Sequence, residues 1–263
     1  MFRVHWRVLG GIALVFGFLQ IILVSRASES LDLQQLKESL QAGLNGQVST
    51  VSSSVALFGV LIVSFSGGDG ADSGSYQSIV IILVSLALIW ALRQLHAGTK
   101  IKIRDAFYRG MYPLVPFILV LLVIGLELLP AALGSFIYTT VVTNGIAITF
   151  LEQVVWMILF GLLSLLSLYM VCSSIFALYI VTLPETTPMQ ALRSARQLVF
   201  NRRWQVMRKI LFLPLILVLL CAVTVVPLII FAAGLAELVF FIYVMFSVVI
   251  AHDYMYRLYR ELL

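Results

Sequence analysis

Residues Gln153 to Leu183, QVVWMILFGLLSLLSLYMVCSSIFALYIVTL, run for thirty-one positions without a charge or a proline. As a helix they would extend about 46 Å at 1.5 Å per residue, more than the ~30 Å hydrocarbon core of a bilayer. Such a run has no place in the water-exposed surface of a soluble domain, so it predicts a transmembrane helix that tilts or projects beyond the core. Gly161, Ser164, Ser167 and Ser174 put small residues on one stripe of it. The stripe suits close approach of another helix, with a polar pathway as the competing reading.

The rest of the chain has the same character. Of its 263 residues, 62% are apolar and 11% charged, against roughly 45–50% and about 25% in ordinary soluble domains. Mean hydropathy is +1.08. Further uncharged stretches between charges predict spans at Val8–Val24, Ser73–Leu92, Gly110–Leu126, Ile210–Ala236 and Leu238–His252, with the fourth of the six running from Gln153 to Pro184. The expected fold is therefore all-α: a polytopic helical bundle of six spans in one membrane domain, or seven if Val51–Phe65 also crosses. Ala131–Leu151, after Pro130, is expected to form an outer hairpin or re-entrant piece.

Basic residues set the orientation, because Lys and Arg concentrate in cytoplasmic loops. Arg93, Lys100, Lys102, Arg104 and Arg109 fall in one loop, and Arg193, Arg196, Arg202, Arg203, Arg208 and Lys209 in another. These two elbows, about 93–110 and 184–209, are expected inside together with the C-terminus. The N-terminus is balanced. With it inside, Arg26 and Lys37 are the two outer cations; with it outside and Val51–Phe65 spanning, Arg3 and Arg7 are. The flanks of the first span favour the inside placement, since Arg3 and Arg7 precede it while Arg26 is followed by Glu29 and Asp32. An insert of about 26–75 then lies on the outer face, carrying a short amphipathic helix through Leu33, Leu36, Leu40 and Leu44 and a flexible loop, GGDGADSGS, at Gly67–Ser75.

The second elbow contains TPMQALRSARQLVFNRRWQVMRK, Thr187 to Lys209. Thr187 with Gln190 makes a capping box and Pro188 suits the first helical position, so a helix starts there. Ala191, Leu192, Ala195, Leu198 and Val199 form one apolar stripe, expected to lie face down on the bilayer. Arg193, Arg196, Arg202, Arg203, Trp204, Arg208 and Lys209 then place cations and an indole at headgroup depth, a set suited to lipid phosphate. The first elbow, GTKIKIRDAFYRGMYP from Gly98 to Pro113, aligns Ala106–Phe107 with Ala191–Leu192.

Three glutamates, Glu127, Glu152 and Glu237, stand at the predicted outer ends of three spans. A carboxylate at a membrane edge is costly unless solvated, paired or functional, so a shared cation or proton site is one expectation and simple solvation another. In HDYMYRLYREL, residues 252–262, Tyr254, Tyr256 and Tyr259 are read as interfacial anchors. Cys172 and Cys221 lie within apolar runs and are read as small buried hydrophobes.

No HExxH, CxxC, GxSxG or P-loop spacing is present, and His5, His96 and His252 are scattered. Catalysis, a bound metal and a cofactor are not expected. The net charge of +5, set in so apolar a chain, points to anionic lipid and not to nucleic acid. The expected function is that of an integral membrane protein acting through its embedded surface, by binding lipid or by assembling with itself or another membrane protein. A small-solute or ion transporter is the alternative, kept open by Pro214 and Pro227 inside one span, and an intramembrane enzyme is third.

IWALRQLHAGTKIKIRDAF before a span and ALRSARQLVFNRRW between spans resemble the helical membrane domains fused to some bacterial glycerophosphodiester phosphodiesterases, and the related free-standing inner-membrane proteins of the YciC type. The likeness covers the chain from about Ser73 onward and implies a six-helix protein of the bacterial inner membrane. It implies no phosphodiesterase activity, since that catalytic barrel takes about 250 residues and this chain has no soluble stretch to supply it.

Overall fold

The structure is a computed structural model that describes residues 2–23, 71–99, 101–143, 146, 149–200, 202–231 and 233–263. The expectations for Arg26, Lys37, the helix through Leu33–Leu44 and the span at Val51–Phe65 lie outside these residues. Among the described residues the regular structure is helical throughout, with no strand. Five helices among the described residues are long and apolar enough to cross a membrane: Tyr76–His96, Leu114–Val142, Phe150–Ile180, Arg203–Ile229 and Leu238–Leu262. Trp6–Ile22 is a shorter apolar helix.

The chain divides into two compact units, one of Met1–Tyr112 with Leu213–Tyr254, the other of Pro113–Phe212 with Met255–Leu263. In the first, α1 (Phe2–Leu23) packs on α2 (Ala71–His96) and on the short α3 (Ile103–Gly110). Leu9, Ile12, Ala13 and Phe16 are the buried stripe of α1, at helical spacing. By contrast α2 is buried on nearly all sides from Val84 to Leu92. Its first turn takes in Ala71–Ser75, so the second half of the expected loop at Gly67–Ser75 is helical. Gly110 explains how closely α3 meets α2: a Cβ there would stand 3.1 Å from the Ala87 Cα and 3.2 Å from the Leu86 carbonyl oxygen, both backbone atoms that cannot step aside. Gly110→Leu is expected to lose about 1–3 kcal/mol by overpacking, measured as a lower thermal midpoint in detergent, with Gly125→Leu, whose Cβ would meet nothing within 4 Å, as the comparison.

The same unit holds the facing parts of the last two long helices, α9 (Arg203–Phe231) and α10 (Ala233–Leu262), labels that follow the chain order with α4–α8 given below. Cys221, Val225 and Ile229 pack on Ala236 and Phe240. The Tyr243 hydroxyl donates to the Leu217 carbonyl across this pair. Pro214 and Pro227 both lie within α9, which continues through them. Cys172 and Cys221 are free and buried.

In the second unit α4 (Leu114–Glu127) is followed directly by α5 (Leu129–Tyr138), which closes in a π turn at Thr139–Thr143. Pro130 stands in the first turn of α5, where its missing N–H is tolerated. It therefore does not end the helical run, and the expected separate outer piece at Ala131–Leu151 is replaced by a continuous apolar stretch, Leu114–Val142. Next comes α6 (Phe150–Ser174), begun by a capping box between Thr149 and Glu152. It runs antiparallel to α5: Gly134 meets Phe160 and Leu163, and Tyr138 lies 5.8 Å from Phe160 between ring centroids. After α6 ends at Ser174, a two-residue turn leads into a short α7 (Ala177–Ile180), the two together making the apolar run Phe150–Ile180, and α8 (Pro188–Val199) follows.

The core of this unit gathers Phe117, Val120 and Ile124 of α4, Phe176 and Tyr179, and Ala191, Leu192, Ala195 and Val199 of α8. The apolar stripe of α8 thus covers protein, not bilayer, correcting the face-down expectation: α8 packs on α4, α6 and α7. Tyr256 and Tyr259 are also buried, the first tilted against Tyr179 at 6.2 Å and the second stacked on it at 6.1 Å. These two are therefore core residues and not interfacial anchors. Most of the α5–α6 hairpin presents apolar side chains outward, Leu133, Phe136, Leu162 and Leu165 among them.

Candidate functional site

The break between α4 and α5 leaves Glu127 as the last residue of α4, on the same stripe as Phe117, Val120 and Ile124. Its side chain is only 5% exposed. Three residues converge on it. Ser174 Oγ donates to Oε1 at 2.6 Å, Arg196 Nη2 of α8 donates to the same oxygen at 3.2 Å, and Ser167 Oγ donates to the Glu127 carbonyl at 2.8 Å. The other carboxylate oxygen, Oε2, is buried without a hydrogen-bond partner. Arg196 stands over the carboxylate with its own side chain 55% exposed.

This arrangement separates Glu127 from Glu152. Glu152 is spent on the N-terminal cap of α6, exchanging hydrogen bonds with Thr149. Ser174, against which Glu127 rests, is the last residue of α6, twenty-two positions later. At 1.5 Å per residue the two sites are about 33 Å apart along that helix. The side chain of Glu237 lies outside the described residues. Glu127 is therefore paired with the second elbow and shares no site with Glu152.

The basic residues of the elbow divide by what they touch. Arg196 is held by Glu127, and Lys209 Nζ by Glu261 Oε1 at 2.6 Å. Arg203 lies over the rings of Tyr169 and Phe200, 5.0 and 5.6 Å from their centroids, and donates to the Tyr169 hydroxyl. Its Nε is buried without a partner. Arg193, Arg202 and Arg208 are exposed, and none of the three has an ion pair among the described residues. Trp204 and Phe200 are 65% and 68% exposed beside them. The helix that carries Arg193 is fixed by its predicted start: Thr187 and Gln190 close the capping box and Pro188 opens the first turn.

Among the described residues no group of three or more His, Cys, Asp or Glu side chains could hold a metal ion. His252 bonds its own helix at the Val248 carbonyl. What the site can do is electrostatic: present three exposed cations beside two exposed aromatic rings, next to a buried carboxylate paired with a fourth cation. No protein-family model, curated protein or solved structure matches the chain.

Proposed function

We propose that this is an integral membrane protein that binds anionic phospholipid headgroups at its second elbow, with Arg193, Arg202 and Arg208 supplying the charge and Trp204 and Phe200 the interfacial anchor. The observation that carries the reading is the sorting of the cations. Every basic residue of the elbow that is not already engaged by protein is exposed, and two large aromatic side chains are exposed with them. A cation near an anionic membrane surface contributes about 1 kcal/mol, and Trp belongs at headgroup depth.

The dimensions of the α5–α6 hairpin support the depth. From Phe150 to Ser167 is seventeen residues of helix, about 26 Å, close to the ~30 Å of a hydrocarbon core. With the tip of the hairpin at one interface, Ser167, Glu127 and α8 fall near the other. In this reading the elbows face the cytoplasm of a bacterial inner membrane, and the resemblance to the membrane domains named above accords with it.

The test is native mass spectrometry of protein purified from bilayers containing phosphatidylglycerol. Arg193→Gln/Arg202→Gln/Arg208→Gln is expected to lower retained phosphatidylglycerol by roughly tenfold or more, whereas Lys209→Gln, whose cation is already paired, changes it little. Equal retention by wild type and triple variant would reduce the elbow to a topological anchor.

A further inference from the structure

The pair made by Glu127 and Arg196 points to a second kind of ligand. Arg196 is half exposed and uses one of its five N–H donors on Glu127, so it can turn outward to a phosphate. An anion that took it would nonetheless leave the Glu127 carboxylate buried and uncompensated, which strongly disfavours the exchange. Only a ligand that brings its own cation avoids this penalty. Its cation must also carry N–H donors, because Oε2 is buried without any, and burial of an unsatisfied carboxylate oxygen is unfavourable.

We propose that Glu127, Ser174, Arg196 and Arg193 form a site for an aminoalkyl phosphate, the headgroup chemistry of an ethanolamine phospholipid. The primary ammonium has three donors. It meets Glu127 Oε1 and Oε2, and Ser174 Oγ, whose hydroxyl donates to Oε1 at 2.6 Å, has lone pairs left to accept a further N–H. The phosphate is taken by Arg196 together with Arg193, which stands three residues earlier on the exposed face of α8. Each buried charge then keeps an opposite partner throughout. The inference rests on α8 lying at headgroup depth, but not on anionic lipid binding at Arg193, Arg202 and Arg208.

A quaternary ammonium has the same charge and no N–H, so phosphatidylcholine is the discriminating probe. In nanodiscs holding equal phosphatidylethanolamine and phosphatidylcholine, native mass spectrometry of the wild-type protein is expected to show roughly tenfold preferential retention of phosphatidylethanolamine, the ratio set by a charge-assisted hydrogen bond. Glu127→Gln abolishes that preference without lowering phosphatidylglycerol retention, since it releases the Arg196 cation, and Ser174→Ala lowers the preference while keeping both charges. Free O-phosphoethanolamine separates the two sources of this chemistry: displacement of the lipid at millimolar concentration assigns the site to the soluble compound, and no displacement assigns it to the lipid. No preference in the wild-type protein, which needs no variant to fold, overturns the proposal, as does a preference that survives Glu127→Gln. Loss of phosphatidylglycerol binding in Arg202→Gln/Arg208→Gln, which keeps Arg193, bears on the other site alone.

Discussion

Arg196→Ala is expected to destabilise the protein by about 2–3 kcal/mol, toward the low end of what breaking a buried ion pair costs because this arginine is half exposed. The cause is the partner left behind. Glu127 would keep Ser174 as its one donor and retain a buried negative charge with nothing opposite. Glu127→Gln/Arg196→Ala removes that charge and is expected to recover most of the loss, so the two substitutions should be strongly non-additive. Thermal unfolding of the four proteins in one detergent measures the coupling. Additive effects would mean that the contact is incidental.

Tyr179→Ala carries the other large effect, about 3–5 kcal/mol on the scale of buried aromatic truncations. Tyr179 is 4% exposed and packs on both Tyr256 and Tyr259, and Phe176 stacks on Tyr259 at 6.4 Å. The cluster joins the segment after α6 to the C-terminal end of α10 within the second unit. Truncation removes ring contacts worth about 0.5–1.5 kcal/mol per pair beyond area burial and opens a cavity. Arg260→Ala, an exposed position next to the buried Tyr259, is the comparison and should stay within about 0.5 kcal/mol of wild type. Limited proteolysis near the C-terminus should rise in Tyr179→Ala and not in Arg260→Ala.

The sequence made local features legible and left distant pairings hidden. The start of α8 was readable because Thr187, Pro188 and Gln190 are three residues apart and their chemistry is self-contained. The same signal at Thr149 and Glu152 opens α6, yet Glu152 at a span end also fits an edge carboxylate. Only the local hydrogen bonds decide between them. The partners of Glu127 are 40, 47 and 69 residues away, and no periodicity relates them. Ser167 and Ser174 were visible as a small-residue stripe, but the stripe divides: they serve Glu127, while Gly161 faces open space.

Two misreadings share one physical origin. An amphipathic helix has an apolar face that must be covered, and sequence does not say by what. For α8 and for Tyr256 and Tyr259 the bilayer was the simplest cover, whereas the protein itself supplies it. Pro130 misled differently, since a proline ends a helix from within but begins one at its first turn. Continuity through that joint places Glu127 within the run Leu114–Val142, and its pairing with Arg196 is what ties it to the elbow.

Depth is the quantity on which the functional account turns. Spin labels attached at Leu128 and Gln197, both exposed, and at Ile146 near the hairpin tip, can be placed relative to the bilayer by their collision with oxygen and with a water-soluble nickel chelate. The account predicts that Leu128 and Gln197 lie at the same headgroup depth, accessible to the chelate, and that Ile146 lies at the opposite interface. A Leu128 label at the bilayer centre, protected from the chelate while Gln197 is exposed to it, would contradict the account.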